Sequence, residues 1–407
     1  MNTKITESTY SVGVLNPNMR IFDVVMRTEY GTSYNAYVVK GREKTALIET
    51  SHHMFSSAFE DNICSICPGG MADIDYVILN HNEPDHSGAL AGLVSLKPDI
   101  TVVVSQAGAI YIDQITNCSS LNKKVVKDGD TLDLGGLTLR YISAPFLHWP
   151  DTMFTWLEEE QVLFSCDFLG AHFCEPLCLD TRMVYVDQYK DALKYYFDCI
   201  MGPFKPFVQK GLEKIKDLNI RYACTSHGPV LSKEGMLPYA LEMYRRWSEP
   251  VQREKKLVPT FYCSAYGNTG DAAREIVNGM QEAFADLGIA VDTPLYDINE
   301  YPMQSLQAIL NQADGFLIGS PTINRNAVPP VWILLSHIDA VNCAKKPVAT
   351  FGSYGWSGEA LGQLNAQLKG LKCNVISEGL RFQFVPGKKD LEQARGFGMS
   401  FVKEAFV

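Results

Sequence analysis

Short apolar runs, each closed by a charged or glycine-containing turn, set the rhythm of the first part of the chain. Residues 10–15, 21–25, 34–39 and 45–49 are rich in β-branched and aromatic side chains and predict strands. A helical pattern at 55–66 follows, then a buried strand at 76–79, a helix near 89–97, a strand at 101–104 and a helix at 107–115. Residues 138–142 predict another strand, and 153–157 with 161–164 a hairpin turning at Glu158-Glu159-Glu160. Helical spacing at 187–201 and 206–217 leads to a short strand at 220–224, and 236–247 is an amphipathic helix.

The pattern then changes. Pro250 and a charge run mark 248–256 as a linker. From Leu257 strands at 257–263, 290–294, 315–319, 347–352 and 373–377 alternate with helices near 270–287, 305–312, 328–338, 360–369 and 391–404. That alternation is the signature of a doubly wound parallel sheet. The expected domains are therefore 1–250 and 257–407.

Composition narrows the function class. The 407 residues suffice for two or three domains, and 46% hydrophobic with 20% charged content is ordinary for a globular protein. A net charge of −10 argues against nucleic-acid binding and against an anionic membrane surface. No apolar run reaches the ~20 residues of a membrane span. The first residues lack the apolar core of a secretory signal, so a cytoplasmic location is expected. Eleven scattered cysteines fit reduced thiols. Cys64-Ser65-Ile66-Cys67 has metal or redox spacing but no second such pair, and Cys174 with Cys178 is likewise read as structural.

The densest chemistry is His81-Asn82-Glu83-Pro84-Asp85-His86, placed where a strand ends. Four of these six side chains can bind a metal, and imidazole with carboxylate suits iron, manganese or zinc. In an extended loop, His81 and Glu83 would face one ion and Asp85 and His86 another. His148 follows the strand at 138–142, Asp167 the one at 161–164, and His227 the one at 220–224. Each alone reads as a loop histidine, a helix cap or a turn residue. Together the seven are too many for one tetrahedral ion and suit a pair bridged by a carboxylate. His52, His53 and His337 have no such context.

Three loops at strand ends mark a second site. Ser264-Ala265-Tyr266-Gly267-Asn268-Thr269 opens a helix whose N-terminus can take a phosphate. Ser320-Pro321-Thr322-Ile323-Asn324 and Ser353-Tyr354-Gly355-Trp356 border the expected switch point, where Tyr354 and Trp356 can flank an isoalloxazine. The pattern resembles a flavodoxin and implies FMN, since no second nucleotide site is apparent.

The dinuclear set resembles the metallo-β-lactamase superfamily, whose hydrolytic members carry His-x-His-x-Asp-His. Glu83 stands here at the second position, a harder anionic donor that favours iron and redox chemistry over zinc and hydrolysis. With the flavodoxin-like half and Gly31-Thr32-Ser33-Tyr34-Asn35-Ala36-Tyr37, the whole chain resembles the flavodiiron proteins. The resemblance implies a metallo-β-lactamase-like αββα sandwich followed by a flavodoxin-like sheet. It implies an oxidoreductase in which FMN feeds a non-haem diiron centre that reduces O2 to water, NO to N2O, or both. His81, Glu83 and His148 would hold one iron, Asp85, His86 and His227 the other, and Asp167 would bridge them. His172 would lie near the site without being a constant ligand, and Tyr195 or Tyr196 would donate to a bound diatomic. The resemblance also implies a head-to-tail homodimer or dimer of dimers, in which Tyr266 could reach the neighbouring subunit's metals. No rubredoxin-like segment is present, so the expected donor is a separate rubredoxin, a reductase or reduced deazaflavin. The competing readings are a two-zinc hydrolase fused to a flavodoxin and a non-catalytic gas or redox sensor.

Overall fold

The computed structural model describes residues 3–24, 26–118, 121–250 and 253–407. The chain divides into two compact units, Met1–Pro250 and Val251–Val407. Val25, the end of the strand expected at 21–25, and Val251 and Gln252 of the expected linker lie outside the described residues.

In the first unit, alternate residues of each strand serve two different cores. Val38, Leu47, Val77, Val102 and Val104 pack toward the helices Ser56–Ile66, Leu90–Leu96 and Gly108–Thr116. Their neighbours Val39, Ala46, Ile48, Ile78 and Val103 turn the other way. They meet Leu139, Tyr141, Met153, Leu157 and Phe164 of a second sheet, as the period-2 alternation of strands requires. The second sheet buries its outer face under Val186–Tyr196, Lys205–Ile215 and Leu237–Ser248. Two sheets between two layers of helices is an αββα sandwich.

The first sheet has seven strands in the order Thr3–Lys4, Thr9–Ser11, Tyr37–Lys40, Thr45–Ile48, Tyr76–Ile78, Thr101–Ser105, Asn122–Val126. The second has six, and within it Val162–Cys166 runs parallel to Tyr222–Thr225. The run at 10–15 divides into Thr9–Ser11 and Val14–Asn16, which pair with different partners on either side of Gly13. A Cβ at Gly13 would meet the Tyr34 carbonyl, so glycine permits this crossing of backbones. Asn122–Val126 was not expected, because Lys123 and Lys124 hide its pattern. It is a sheet edge, where lysine discourages further pairing.

In the second unit one sheet carries Leu295–Asp297, Thr260–Tyr262, Phe316–Gly319 and Pro347–Tyr354 in that order, all parallel. Asn374–Val375 and Leu380–Gln383 both pair with the last of these. The chain order reverses between Thr260–Tyr262 and its two neighbours, which is the switch point of a flavodoxin-like sheet. The strand expected at 290–294 resolves into Val291–Asp292, paired with Lys256–Leu257, and the sheet strand Leu295–Asp297. Helices Asn268–Asp286 and Lys388–Phe406 share one face. Met303–Gln312, Pro329–Ser336 and Glu359–Gly370 cover the other. All eleven cysteines are free thiols, Cys64 exposed and Cys67 buried. Among the described residues no helix is long and apolar enough to cross a membrane.

Candidate metal centre and flavin site

The loop after Tyr76–Ile78 is fastened from several directions before any metal is considered. Its Asn80 carbonyl accepts from Met153 N–H at 2.8 Å, and Asn82 Nδ2 donates to the Gly108 carbonyl at 2.8 Å. Ser87 Oγ donates back to the carbonyls of Asn82 and Glu83, and Thr50 holds the His86 carbonyl through its N–H and Oγ1. The loop is not extended throughout. Pro84–Ser87 forms a short α-helix with proline at its first turn, where the missing N–H costs nothing. The division of its side chains into two sides arises from that turn, not from strand alternation.

The seven side chains expected from the sequence converge. Asp167 stands just past Val162–Cys166 and His227 just past Tyr222–Thr225, the two parallel neighbours. Asp167 Oδ1 lies 3.1 Å from His86 Nε2 and 3.5 Å from His227 Nε2, and Oδ2 lies 3.3 Å from His148 Nε2 and 3.6 Å from His81 Nε2. Glu83 Oε2 is 3.0 Å from both His81 Nε2 and His148 Nε2. Asp85 Oδ1 is 3.3 Å from His86 Nε2, and Oδ2 is 3.1 Å from His227 Nε2. The carboxylates thus sort four imidazoles into two pairs, and all four present Nε2. All seven residues are buried apart from a partly exposed His148.

Charge in this cluster is mutually enforced. Burial works against protonation of His81, but Asp151, Glu83 and Asp167 carry it up to about 10. Burial likewise opposes His86 and His148, and Asp167 with Asp85 or Glu83 brings each to about 10. Burial resists ionisation of Asp167 as well, yet His86, His148 and His227 hold it well below the carboxylate range. A metal must therefore displace protons from these imidazoles, and their raised affinity for protons competes with it at every pH below about 10. Metal uptake by the metal-free chain is expected to release protons and to tighten as pH rises toward that value. Calorimetry in buffers of different ionisation enthalpy checks this, and heats independent of buffer would contradict it.

His172 lies beside the cluster. Its Nδ1 is 2.8 Å from Thr32 Oγ1, its ring centroid is 4.7 Å from that of His227, and Phe22 covers it at 4.5 Å. Burial, then the neighbouring His227, keeps it neutral. Of the two tyrosines, Tyr196 is buried with its ring 5.0 Å from His172, whereas exposed Tyr195 accepts from the Arg27 N–H.

Several further residues hold this centre in place. His227 Nδ1 donates to the Ser33 carbonyl at 2.7 Å, and Asn35 Nδ2 donates to the carbonyls of Thr225 and Gly228. Segment 31–37 is therefore a clamp on the His227 loop. Gly228 has φ +82, and a Cβ there would meet the Ala171 carbonyl at 2.7 Å, so only glycine lets this turn close. Glu49 sits past the strand Thr45–Ile48, with Oε1 accepting from Asn80 N–H at 3.0 Å. Burial pushes its carboxyl up to about 8 against the pull of His86 and His81. Asp151 Oδ2 accepts from Asn82 N–H at 2.8 Å, and Oδ1 lies 3.4 Å from His81 Nδ1. Residues 31 to 194 positions apart in sequence meet here, so no spacing rule would find them.

In the second unit the first two expected loops follow Thr260–Tyr262 and Phe316–Gly319, whereas Ser353 and Tyr354 of the third are the last residues of the strand, which runs on past the expected 352 by pairing with Leu380–Gln383. Gly267, at φ +86, caps Asn268–Asp286, with Asn268 and Thr269 in its first turn. Thr269 Oγ1 and Ser353 Oγ are 3.1 Å apart, which joins the first loop to the third, while Ser320 Oγ accepts from Val328 N–H. Thr322 Oγ1 is buried without a hydrogen-bond partner. Pro321 is buried, whereas Ala265, Gly267 and Asn324 are exposed, and Ser264, Tyr354 and Gly355 are half-buried. Tyr266 and Trp356 stand 91% and 89% exposed, so neither ring serves the core of this unit.

Comparison with known proteins agrees with both halves. The model of the ODP family beta lactamase matches residues 32–228 and that of flavodoxin matches 260–398. The flavo-diiron protein FprA2 of Clostridium acetobutylicum is 48% identical over 401 residues, covering 98% of each chain. The anaerobic nitric oxide reductase flavorubredoxin of Vibrio vulnificus is 31% identical over 92% of this chain and 75% of its own. The rubredoxin oxygen:oxidoreductase of Desulfovibrio gigas superposes over the full length of both chains with TM-score 0.69 at 27% identity. The flavodiiron protein of Giardia intestinalis gives 0.68 at 28%, covering 100% of this chain and 97% of that one. With a sandwich that gathers four imidazoles and three carboxylates, a flavodoxin sheet after it, and a near-full-length relative at this identity, the chain belongs to the flavodiiron protein family.

Proposed function

We propose that this protein is a flavodiiron oxidoreductase that reduces O2 to water, NO to N2O, or both, with electrons passed through FMN from a separate donor. The observation that carries the reading is Asp167, whose two oxygens each face a different pair of imidazoles. The donor set fits two ions. Both Asp85 oxygens, Asp167 Oδ1 and His86 Nε2 are buried and make no hydrogen bond, although polar groups so placed normally do. His81, Glu83 and His148 would hold one iron, Asp85, His86 and His227 the other, with Asp167 between them. Two terminal carboxylates and a bridging one suit iron better than zinc. The FMN phosphate would take the first-turn N–H groups of Asn268–Asp286 with Ser264 and Thr269. Thr322, Asn324, Tyr354 and Trp356 would border the flavin ring.

When bound, the iron pair supplies redox electrons and open coordination positions, and FMN relays electrons singly. The chain's own residues set the surroundings. His172, kept neutral, adds no charge beside His227. Burial keeps the Tyr196 phenol protonated, so its Oη can donate to a small polar substrate but not ionise. Phe22 and Tyr34, packed edge-on to His227 at 6.0 Å, restrict water there.

A head-to-tail homodimer or dimer of dimers would bring one subunit's FMN to the other's metals. Each unit has exposed apolar side chains beside its own site. Tyr266 and Trp356 border the flavin loops, and Val24 lies two residues beyond Phe22. The donor would be a rubredoxin, a reductase or reduced deazaflavin.

Anaerobically reduced protein, supplied with a donor and given O2 or NO in separate experiments, should consume many equivalents per chain. Consumption of about one equivalent of either gas would mark a sensor instead, and zinc in place of iron on metal analysis a hydrolase. In the same assay, turnover per chain should fall on dilution below the dimer dissociation constant. Full reduction of the metal centre in monomers would overturn the head-to-tail arrangement.

A further inference from the structure

His81 differs from the other three imidazoles of the cluster on its outer side. Among the described residues, it alone has a carboxylate facing Nδ1, that of Asp151 at 3.4 Å. His227 Nδ1 meets the neutral Ser33 carbonyl, and His86 Nδ1 is buried without a partner. Asp151 is 2% exposed and is itself fixed. Its Oδ2 accepts from Asn82 N–H and its carbonyl accepts from Ser105 Oγ at 2.7 Å. Trp149 packs edge-on against the His81 ring at 5.0 Å, so the imidazole is held in plane with its Nε2 toward Glu83.

We propose that Asp151 is a positioning residue for His81 and makes the His81–Glu83–His148 half of the centre the tighter metal site. The proposal rests on the reading of the cluster as a dinuclear centre. A carboxylate accepting Nδ1–H fixes the tautomer that leaves Nε2 free for metal and makes that nitrogen a stronger donor. His227 is backed only by the neutral Ser33 carbonyl and His86 by no partner, so two half-sites with similar inner donors differ in the charge behind their imidazoles. Asp151 also lines a pocket of about 460 Å³, together with Ser105, Lys127, Tyr141, Ser143 and Thr152. Tyr141 Oη is buried in this region without a hydrogen-bond partner. Asp151 thus both lines that pocket and faces His81, and a small carboxylate could enter the space left by shortening it.

The test uses the full-length chain with FMN bound, freed of metal by chelation and titrated with Co(II), followed by calorimetry and visible absorption. Wild type should take up two equivalents with unequal affinities. Asp151→Asn keeps an oxygen for the Asn82 N–H but loses the charge facing His81. It should weaken the tighter equivalent by about 10–100-fold and leave the other unchanged. Acetate should restore the tight equivalent to Asp151→Ala in a concentration-dependent way. An Asp151→Asn isotherm identical to wild type would overturn the proposal. So would equal weakening of both equivalents, which is the mark of a merely structural residue. Failure of wild type to bind two equivalents would instead overturn the dinuclear reading.

Discussion

Asp167→Ala is expected to abolish turnover of both O2 and NO and to lose metal while FMN stays fully bound. Asp167 is the one carboxylate whose oxygens approach all four imidazoles, between 3.1 and 3.6 Å. Alanine removes the bridging donor from both half-sites at once. It also leaves His81, His86 and His148, each raised to about 10 by carboxylates that include Asp167, facing one another with one anion fewer. Removing one partner of a buried charged cluster costs about 3–5 kcal/mol, so the metal-free variant should also melt earlier. The flavin loops belong to a different sheet in a different compact unit, so FMN absorbance should be unchanged. Metal analysis, flavin absorbance and gas consumption together check this. Retained iron with full activity would overturn the bridging assignment.

What could be read from sequence follows a physical division. His81, His148, Asp167 and His227 were legible because each follows a buried strand, and such residue types at strand ends are chemically informative one at a time. The two-domain fold was legible because strand and helix periods persist over many residues. Asp151 and Glu49 were not, since their meaning lies in distances of about 3 Å across elements far apart in the chain. The backbone of the metal loop departs from the extended form for a local reason. Pro84 breaks a strand but starts a helix well, and the helical option prevailed once Ser87 closed onto Asn82 and Glu83. Edge strand Asn122–Val126 shows no strand pattern in the sequence because an edge tolerates the lysines that a central strand rejects.

Glu83→His should convert the centre from an iron site to a zinc site. Glu83 Oε2 is shared between His81 and His148 at 3.0 Å each. Burial resists its ionisation, yet those two imidazoles hold it well below the usual carboxylate range. It therefore offers the centre a fixed negative charge on a hard oxygen. Histidine at this position removes that charge, adds a fifth imidazole and restores the nitrogen-rich pattern of the hydrolytic relatives, a donor set that suits zinc. Loss of even an outer partner costs about 10–100-fold in metal affinity, so loss of this inner carboxylate should lower iron affinity by at least that range. Protein expressed with equal iron and zinc in the medium should carry mainly zinc in the variant and mainly iron in wild type. Gas turnover should fall in proportion to the iron lost, with flavin content unaltered. A variant that keeps its iron and its O2 or NO turnover would show that Glu83 does not select the metal. The distinction between reductase and hydrolase would then have to lie in the surrounding residues, His172 and Tyr196 first among them.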